Sequence, residues 1–149
     1  MINDVKIKNL KVICDERGRL MEILRKDDEL FLKFGQVYIT TAFPGVVKAW
    51  HYHKKQTDNI ACINGKAVLA LYDARETSST FKEVNEFVLS LEESRLVHIP
   101  PMVYHGFKCM SDEEAFLINI PDKTYNYKKP DEFRIDPYHN NINYNWRKS

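Results

Sequence analysis

No stretch of this sequence approaches the roughly 20 consecutive apolar residues that a membrane-spanning helix needs. The opening segment, Met1-Ile2-Asn3-Asp4-Val5-Lys6, lacks the apolar run of a secretory signal. The expectation is a cytoplasmic protein with no membrane partner. Cysteine is scarce. Cys14, Cys62 and Cys109 lie far apart and are odd in number, a poor disulfide framework that fits a reducing compartment. Cys62 sits in an apolar run and Cys109 follows Phe107, so both read as buried small hydrophobes rather than nucleophiles. Charge of one sign is not in excess either. Lys and Arg number 22 against 21 Asp and Glu, a formal net charge of +1, which argues against nucleic acid as a partner and against a disordered acidic tail. A few local cations can still hold an anionic substrate. With no fixed-period repeat, low-complexity stretch or Ser/Gly linker, residues 1–149 read as one domain.

What is present is an ordinary globular balance, 44% hydrophobic and 29% charged, on a chain long enough to bury a core. Short apolar runs alternate with turn signals. The runs predict strands over Val5–Cys14, Leu20–Leu24, Gln36–Phe43, Val46–His53, Ile60–Asn64, Ala67–Asp73, Val84–Leu91, Leu96–Ile99, Gly106–Lys108 and Phe116–Pro121. Such a rhythm indicates an all-β sandwich or barrel. Asn64-Gly65 is the strongest hairpin signal, because a type I′ turn needs positive φ at both central residues. Ala67–Leu71 does not alternate with polar residues, so this strand needs cover on both faces, from another layer or another subunit. Asp27 to Phe34 predicts a helical turn or two. After Pro121 the chain becomes polar and aromatic, which suits a tail packed over the barrel.

Chemistry concentrates in Trp50-His51-Tyr52-His53, Asp58, Pro100 through Phe107, and Tyr125. Strand residues two apart share a face, so His51 and His53 point together. A lone strand histidine is usually structural. Two at this spacing, joined by His105 in a proline-flanked turn, point to a site. His98, between Val97 and Ile99, reads as structural or surface, and His139, in an Asn-rich segment, as solvated. Gly45, five residues, His51, one residue, His53, four residues, Asp58, six residues, Gly65 resembles the first motif of the cupin superfamily, with Asp for the usual Glu. The second motif is half present: Pro100 and His105 keep their spacing, while Ser94, Met102 and Cys109 stand at other motif positions. The resemblance implies a cupin-type double-stranded β-helix, a jelly-roll barrel with short helical turns.

Further matches run the length of the chain. They are Asp15-Glu16-Arg17-Gly18 with Glu22, Gln36-Val37-Tyr38, Gly45 through Tyr52, Asp73 through Phe81, Pro100 through Phe107, Tyr125-Asn126, Asp136-Pro137 and Trp146. In order and spacing they resemble the dTDP-4-dehydrorhamnose 3,5-epimerase family. That resemblance implies a homodimer acting on a nucleotide-activated 4-keto-6-deoxy sugar in deoxysugar and cell-surface polysaccharide biosynthesis, with no cofactor. It implies that His51 is the base removing the proton α to the ketone and that Tyr125 is the acid returning one from the opposite face. An imidazole of ordinary pKa near 6.5 suits the first role. Arg17, Glu22, Lys48 and His105 fall on substrate-contacting positions, and Gln36, His53 and Asp58 join them as substrate-binding candidates.

The sequence departs from the family at three places. The family lysine that steadies the enolate oxygen is missing from Gln56-Thr57-Asp58, leaving Lys54 or Lys55 to substitute. The family carboxylate that orients the catalytic histidine beyond the closing Trp is absent from Arg147-Lys148-Ser149. His53 replaces a Gln, completing the His-x-His of metal-binding cupins. The alternatives are therefore a sugar-nucleotide ketoisomerase of the same cupin group, a metallocupin using His51, His53, Asp58 and His105, and a non-catalytic sugar-binding cupin. Asp is one methylene shorter than Glu, so the spacing predicts that Asp58 orients a histidine and that no metal is tightly held.

Overall fold

Alternating apolar residues between turn segments give twelve strands and, among the described residues, no helix. The computed structural model describes residues 1–148. The strands are β1 Lys6–Asn9, β2 Val12–Asp15, β3 Gly18–Met21, β4 Tyr38–Ala42, β5 Val47–Tyr52 and β6 Asp58–Asn64. They continue as β7 Lys66–Asp73, β8 Val84–Ser90, β9 Arg95–Ile99, β10 Val103–Cys109, β11 Ala115–Asn119 and β12 Phe133–Arg134. Two five-stranded antiparallel sheets, β1-β9-β6-β11-β4 and β12-β5-β10-β7-β8, enclose the core, and β2 with β3 forms a separate hairpin. This is the expected jelly-roll architecture. Leu69, Leu71, Leu89, Val97, Ile99, Val103 and Leu117 fill the space between the sheets. Each such side chain removed from water contributes about 1.5–3 kcal/mol.

Three local expectations are corrected. Asn64-Gly65 does not close a hairpin, because β6 pairs with β9 and β11 while β7 pairs with β8 and β10. The turn instead carries the chain from one sheet to the other. Gly65 takes φ +68°, and a Cβ there would meet Ser111 Oγ at 2.7 Å. The 111–114 loop grips this turn, with Ser111 Oγ accepting the Lys66 N–H and the Glu114 carbonyl accepting from Asn64 Nδ2. Asp27–Phe34 forms successive turns, not helix, with Asp28 N–H bonded to Arg25 O and Phe31 N–H to Asp28 O. The Asp28 carboxylate accepts the Arg25 N–H at 2.7 Å and so competes with helical pairing. The short helical turns of the expected barrel are therefore absent among the described residues. Val5–Cys14 breaks into β1 and β2 because Leu10 buries with Leu30 and Leu96.

The strand with two apolar faces, β7, finds both covers within its own chain. Leu69 and Leu71 face the core, while Ala70 packs on the other side under Trp146 of the tail. Trp50 joins that outer cluster, its ring centroid 5.0 Å from that of Trp146. Cover for β7 therefore requires no second subunit.

An irregularity in β5–β10 positions the site. His105 pairs with His51, but Phe107 pairs with Lys48, so β5 carries one extra residue. Directly opposed residues share a face, and the bulge thereby puts both Lys48 and His51 on the inner side. Gly106 makes the close approach possible, since a Cβ there would meet Ala49 Cβ at 2.2 Å and Ala49 Cα at 2.7 Å. Gly106→Ala is expected to destabilise the fold by about 2–3 kcal/mol, the upper range for overpacking, because backbone must move. A urea midpoint equal to that of the parent would contradict this packing.

Candidate active site

A cavity of about 690 Å³ opens between the sheets. Its walls come from β4, β5, β6, β10, β11, β12 and the segments beside them, through Gln36, Tyr38, Lys48, His51, His53, Gln56, His105, Asn119, Tyr125 and Arg134. Strand alternation turns Trp50 outward under the tail and His51 inward. His51 stacks edgewise on His105, ring centroids 4.0 Å apart, and lies 5.7 Å from His53. Burial, with the neighbouring His105 adding to it, holds the His51 imidazole well below its usual pKa, so it is neutral at pH 7.

Asp58, the first residue of β6, is 1% exposed behind these rings. Its Oδ1 accepts from Gln56 Nε2 at 2.8 Å and Asn119 Nδ2 at 2.9 Å. Its Oδ2 lies 3.2 Å from Nε2 of both His53 and His105. Burial pushes the carboxyl up, but the two imidazoles outweigh it and hold Asp58 well below the carboxylate range. Burial also opposes charge on His53, yet the Asp58 carboxylate beside it raises its pKa. Asp58, read from the sequence as the partner of a histidine, lies against two of them, His53 and His105.

Other assignments divide. Gln36, Lys48, His51, His53, His105 and Tyr125 line one cavity, and Asp58 supports it from behind. The Tyr125 N–H donates to Gln36 Oε1 at 3.2 Å, tying the acid candidate to the strand side of the cavity. Arg17 and Glu22 do not line the cavity of their own chain. Arg17 sits at the tip of the separate β2–β3 hairpin, paired with Asp15, and Glu22 pairs with Arg25. Neither Lys54 nor Lys55 replaces the family lysine. The Lys54 ammonium stacks over Phe133 at 4.4 Å, and both backbone N–H groups are held by the Asp131 carboxylate. The cations on the wall are Lys48 and Arg134. Sequence reading missed Arg134, Gln56 and Asn119. Arg134 stands opposite His51 on a two-residue strand with no periodicity to reveal it. His98 is structural, its Nδ1 2.9 Å from Asn59 Oδ1, and His139 is exposed at the surface.

The sequence profile of the dTDP-4-dehydrorhamnose 3,5-epimerase family matches residues 1–149. The chain belongs to that family. It is accordingly an isomerase-class enzyme of a family of sugar-nucleotide epimerases. Among relatives of this epimerase family, the probable low-salt glycan biosynthesis epimerase Agl13 of Haloferax volcanii is 41% identical, covering 92% of this chain and 88% of that protein. The spore coat polysaccharide biosynthesis protein SpsL of Bacillus subtilis is 37% identical, covering 98% and 97% respectively. The crystal structure of a dTDP sugar isomerase from Desulfovibrio desulfuricans G20 superposes with a TM-score of 0.94 at 29% identity, covering 99% of this chain and 94% of that one. The cavity containing His51 and Tyr125 is therefore the candidate active site of a dTDP-4-dehydrorhamnose 3,5-epimerase family member, on the cupin barrel.

Proposed function

We propose that this enzyme epimerises a nucleotide-activated 4-keto-6-deoxyhexose at one or both carbons flanking the ketone, in the cytoplasm, for glycan or polysaccharide assembly. The observation that carries the reading is a half-buried imidazole, His51, in the same cavity as the Tyr125 phenol. His51 takes the proton α to the carbonyl, the electron pair moves into an enolate, and the Tyr125 hydroxyl returns a proton from the other face. The change of face inverts the centre. Lys48 and Arg134 supply positive charge to an anionic substrate. Three unpaired cysteines fit the reducing cytoplasm.

The reading is tested by incubating the enzyme with dTDP- and GDP-4-keto-6-deoxyhexoses in D2O and following each carbon by NMR. Deuterium entering beside the ketone with inversion is expected. Exchange accompanied by migration of the carbonyl would instead assign a ketoisomerase, and no exchange would leave a sugar-binding protein. Tyr125→Phe is expected to keep exchange at the first carbon while blocking inversion.

A homodimer is part of the same proposal. Strand β4 is the open edge of its sheet and exposes Ile39, flanked by exposed Val37, Phe43 and Val46. The β2–β3 hairpin exposes Ile13 and Leu20. A second copy would cover these groups, and Arg17 and Glu22 meet substrate only if that hairpin reaches the other copy's cavity. Sedimentation at micromolar concentration should give a dimer; a monomer would remove Arg17 and Glu22 from the site.

A further inference from the structure

Three atoms behind the cavity have geometry that the acid–base reading does not use. His53 Nε2, His105 Nε2 and Asp58 Oδ2 are buried, and none makes a hydrogen bond of acceptable angle despite N···O separations of 3.2 Å. Buried polar atoms left this way are costly, and three together demand a common partner. Each of the three side chains is anchored by its other polar atom. His53 Nδ1 faces the Asp131 carbonyl and His105 Nδ1 faces the Val103 carbonyl, so each Nδ1 carries the proton and can leave an Nε2 lone pair pointing inward. Asp58 Oδ1 is held by Gln56 and Asn119, which leaves Oδ2 as a monodentate ligand. Outer partners that fix the tautomer and aim the lone pair are the usual support of a metal ligand.

The spacing fits an ion as well. Two ligand atoms 3.2 Å apart, each about 2.1 Å from a shared metal, subtend roughly 100° at it, between octahedral and tetrahedral values. Candidate ligand atoms of His51, His53, Asp58 and His105 all lie within 4.8 Å of one another. We propose that His53 Nε2, His105 Nε2 and Asp58 Oδ2 form a facial site for a divalent transition-metal ion, with His51 beside it as base and not as ligand. Two imidazoles and a carboxylate suit Mn2+, Fe2+, Co2+, Ni2+ or Zn2+, and the remaining positions open toward the cavity. Resting on the epimerase reading, the ion would stand in for the family's missing lysine, acting as a Lewis acid at the substrate ketone oxygen. This reverses the sequence-based expectation of no tightly held metal.

The test uses the full chain stripped with a chelator and titrated with Co2+ or Zn2+, read by bound-metal stoichiometry, the visible Co2+ spectrum and thermal denaturation. Stoichiometric binding with a rise in Tm of about 5–15 °C near saturation is expected. Asp58→Asn and His53→Gln should weaken Co2+ binding by about 100-fold or more. Gln56→Ala, which removes only an outer support, should cost about 10-fold and leaves the buried ligands in place if the ligand variants fail to fold. His51→Asn should bind Co2+ as the parent does. Absence of binding by the parent chain would overturn the proposal, as would loss of Co2+ affinity in His51→Asn comparable to that of the ligand variants. Deuterium exchange in the stripped protein separates the two ideas. Exchange without any metal binding defeats the site and leaves the epimerase reading standing. Metal binding without exchange by the loaded protein defeats that reading and leaves the site.

Discussion

Replacing His51 with alanine is expected to lower the rate of α-proton exchange into a 4-keto-6-deoxy sugar nucleotide by about 10²–10⁴-fold, the usual contribution of a positioned general base. A C–H beside a ketone is a weak acid, so the base must be unprotonated and adjacent. His51 satisfies both conditions: burial and the nearby His105 keep its imidazole neutral, and its ring lies on the cavity wall. The loss should fall on kcat with KM little changed, because the proton transfer develops only in the transition state. His51→Asn should lose as much, which separates proton acceptance from the space the ring fills. Deuterium wash-in followed by NMR reads the effect directly. Equal and mild losses in His51→Ala and Tyr125→Phe would remove the two-face mechanism.

Asp73→Asn is expected to be among the most destabilising conservative changes, at about 3–5 kcal/mol, the cost of breaking a buried ion pair from one side. The Asp73 side chain is fully buried at the end of β7, and its carboxylate accepts from Arg75 Nε at 2.8 Å, Ser78 Oγ at 2.7 Å and Thr80 Oγ1 at 2.7 Å. Arg75 in turn reaches Asp4 and the Asn3 carbonyl, tying the N-terminus to this loop. Burial pushes the Asp73 carboxyl up, but Arg75, Thr80 and Ser78 outweigh it and hold it well below its usual 3.8. A depressed folded pKa means stability that is present above the unfolded pKa and lost as pH falls below it. Urea midpoints of the parent should therefore drop as pH falls below about 4, the ordinary aspartate value. The drop in Asp73→Asn should be smaller. Parallel pH curves for the two proteins would show that this carboxylate does not carry the acid sensitivity.

Much of this was legible in the sequence where period-two alternation and spacing carry the information. His51 and His53 share a face because strands alternate, and Pro100 through Phe107 brings His105 beside them. Residues whose placement depends on partners distant in sequence were not legible. Asn64-Gly65 has hairpin chemistry, yet Ser111 and Glu114 hold it as a crossing between sheets. Alternation alone would set Lys48 opposite His51, and only the bulge facing Gly106 returns it to the cavity. Arg134 enters through two residues in an irregular tail. Arg17 and Glu22 match a family pattern, but the fold of the chain does not bring them to the cavity.

The pairing of β1 with β9 joins Lys6 to His98 and sets a schedule for biosynthesis. About 90 residues separate these partners, which at ribosomal speeds of 5–20 residues per second is a wait of about 5–20 s. During it the N-terminal strand has no edge to join, and β6 still lacks β11. The second sheet must wait longer still for β12 to emerge before it is complete. The nascent chain therefore presents unpaired strands to its surroundings until β12 has emerged, and its yield in cells should depend on chaperone capacity more steeply than its final stability would suggest.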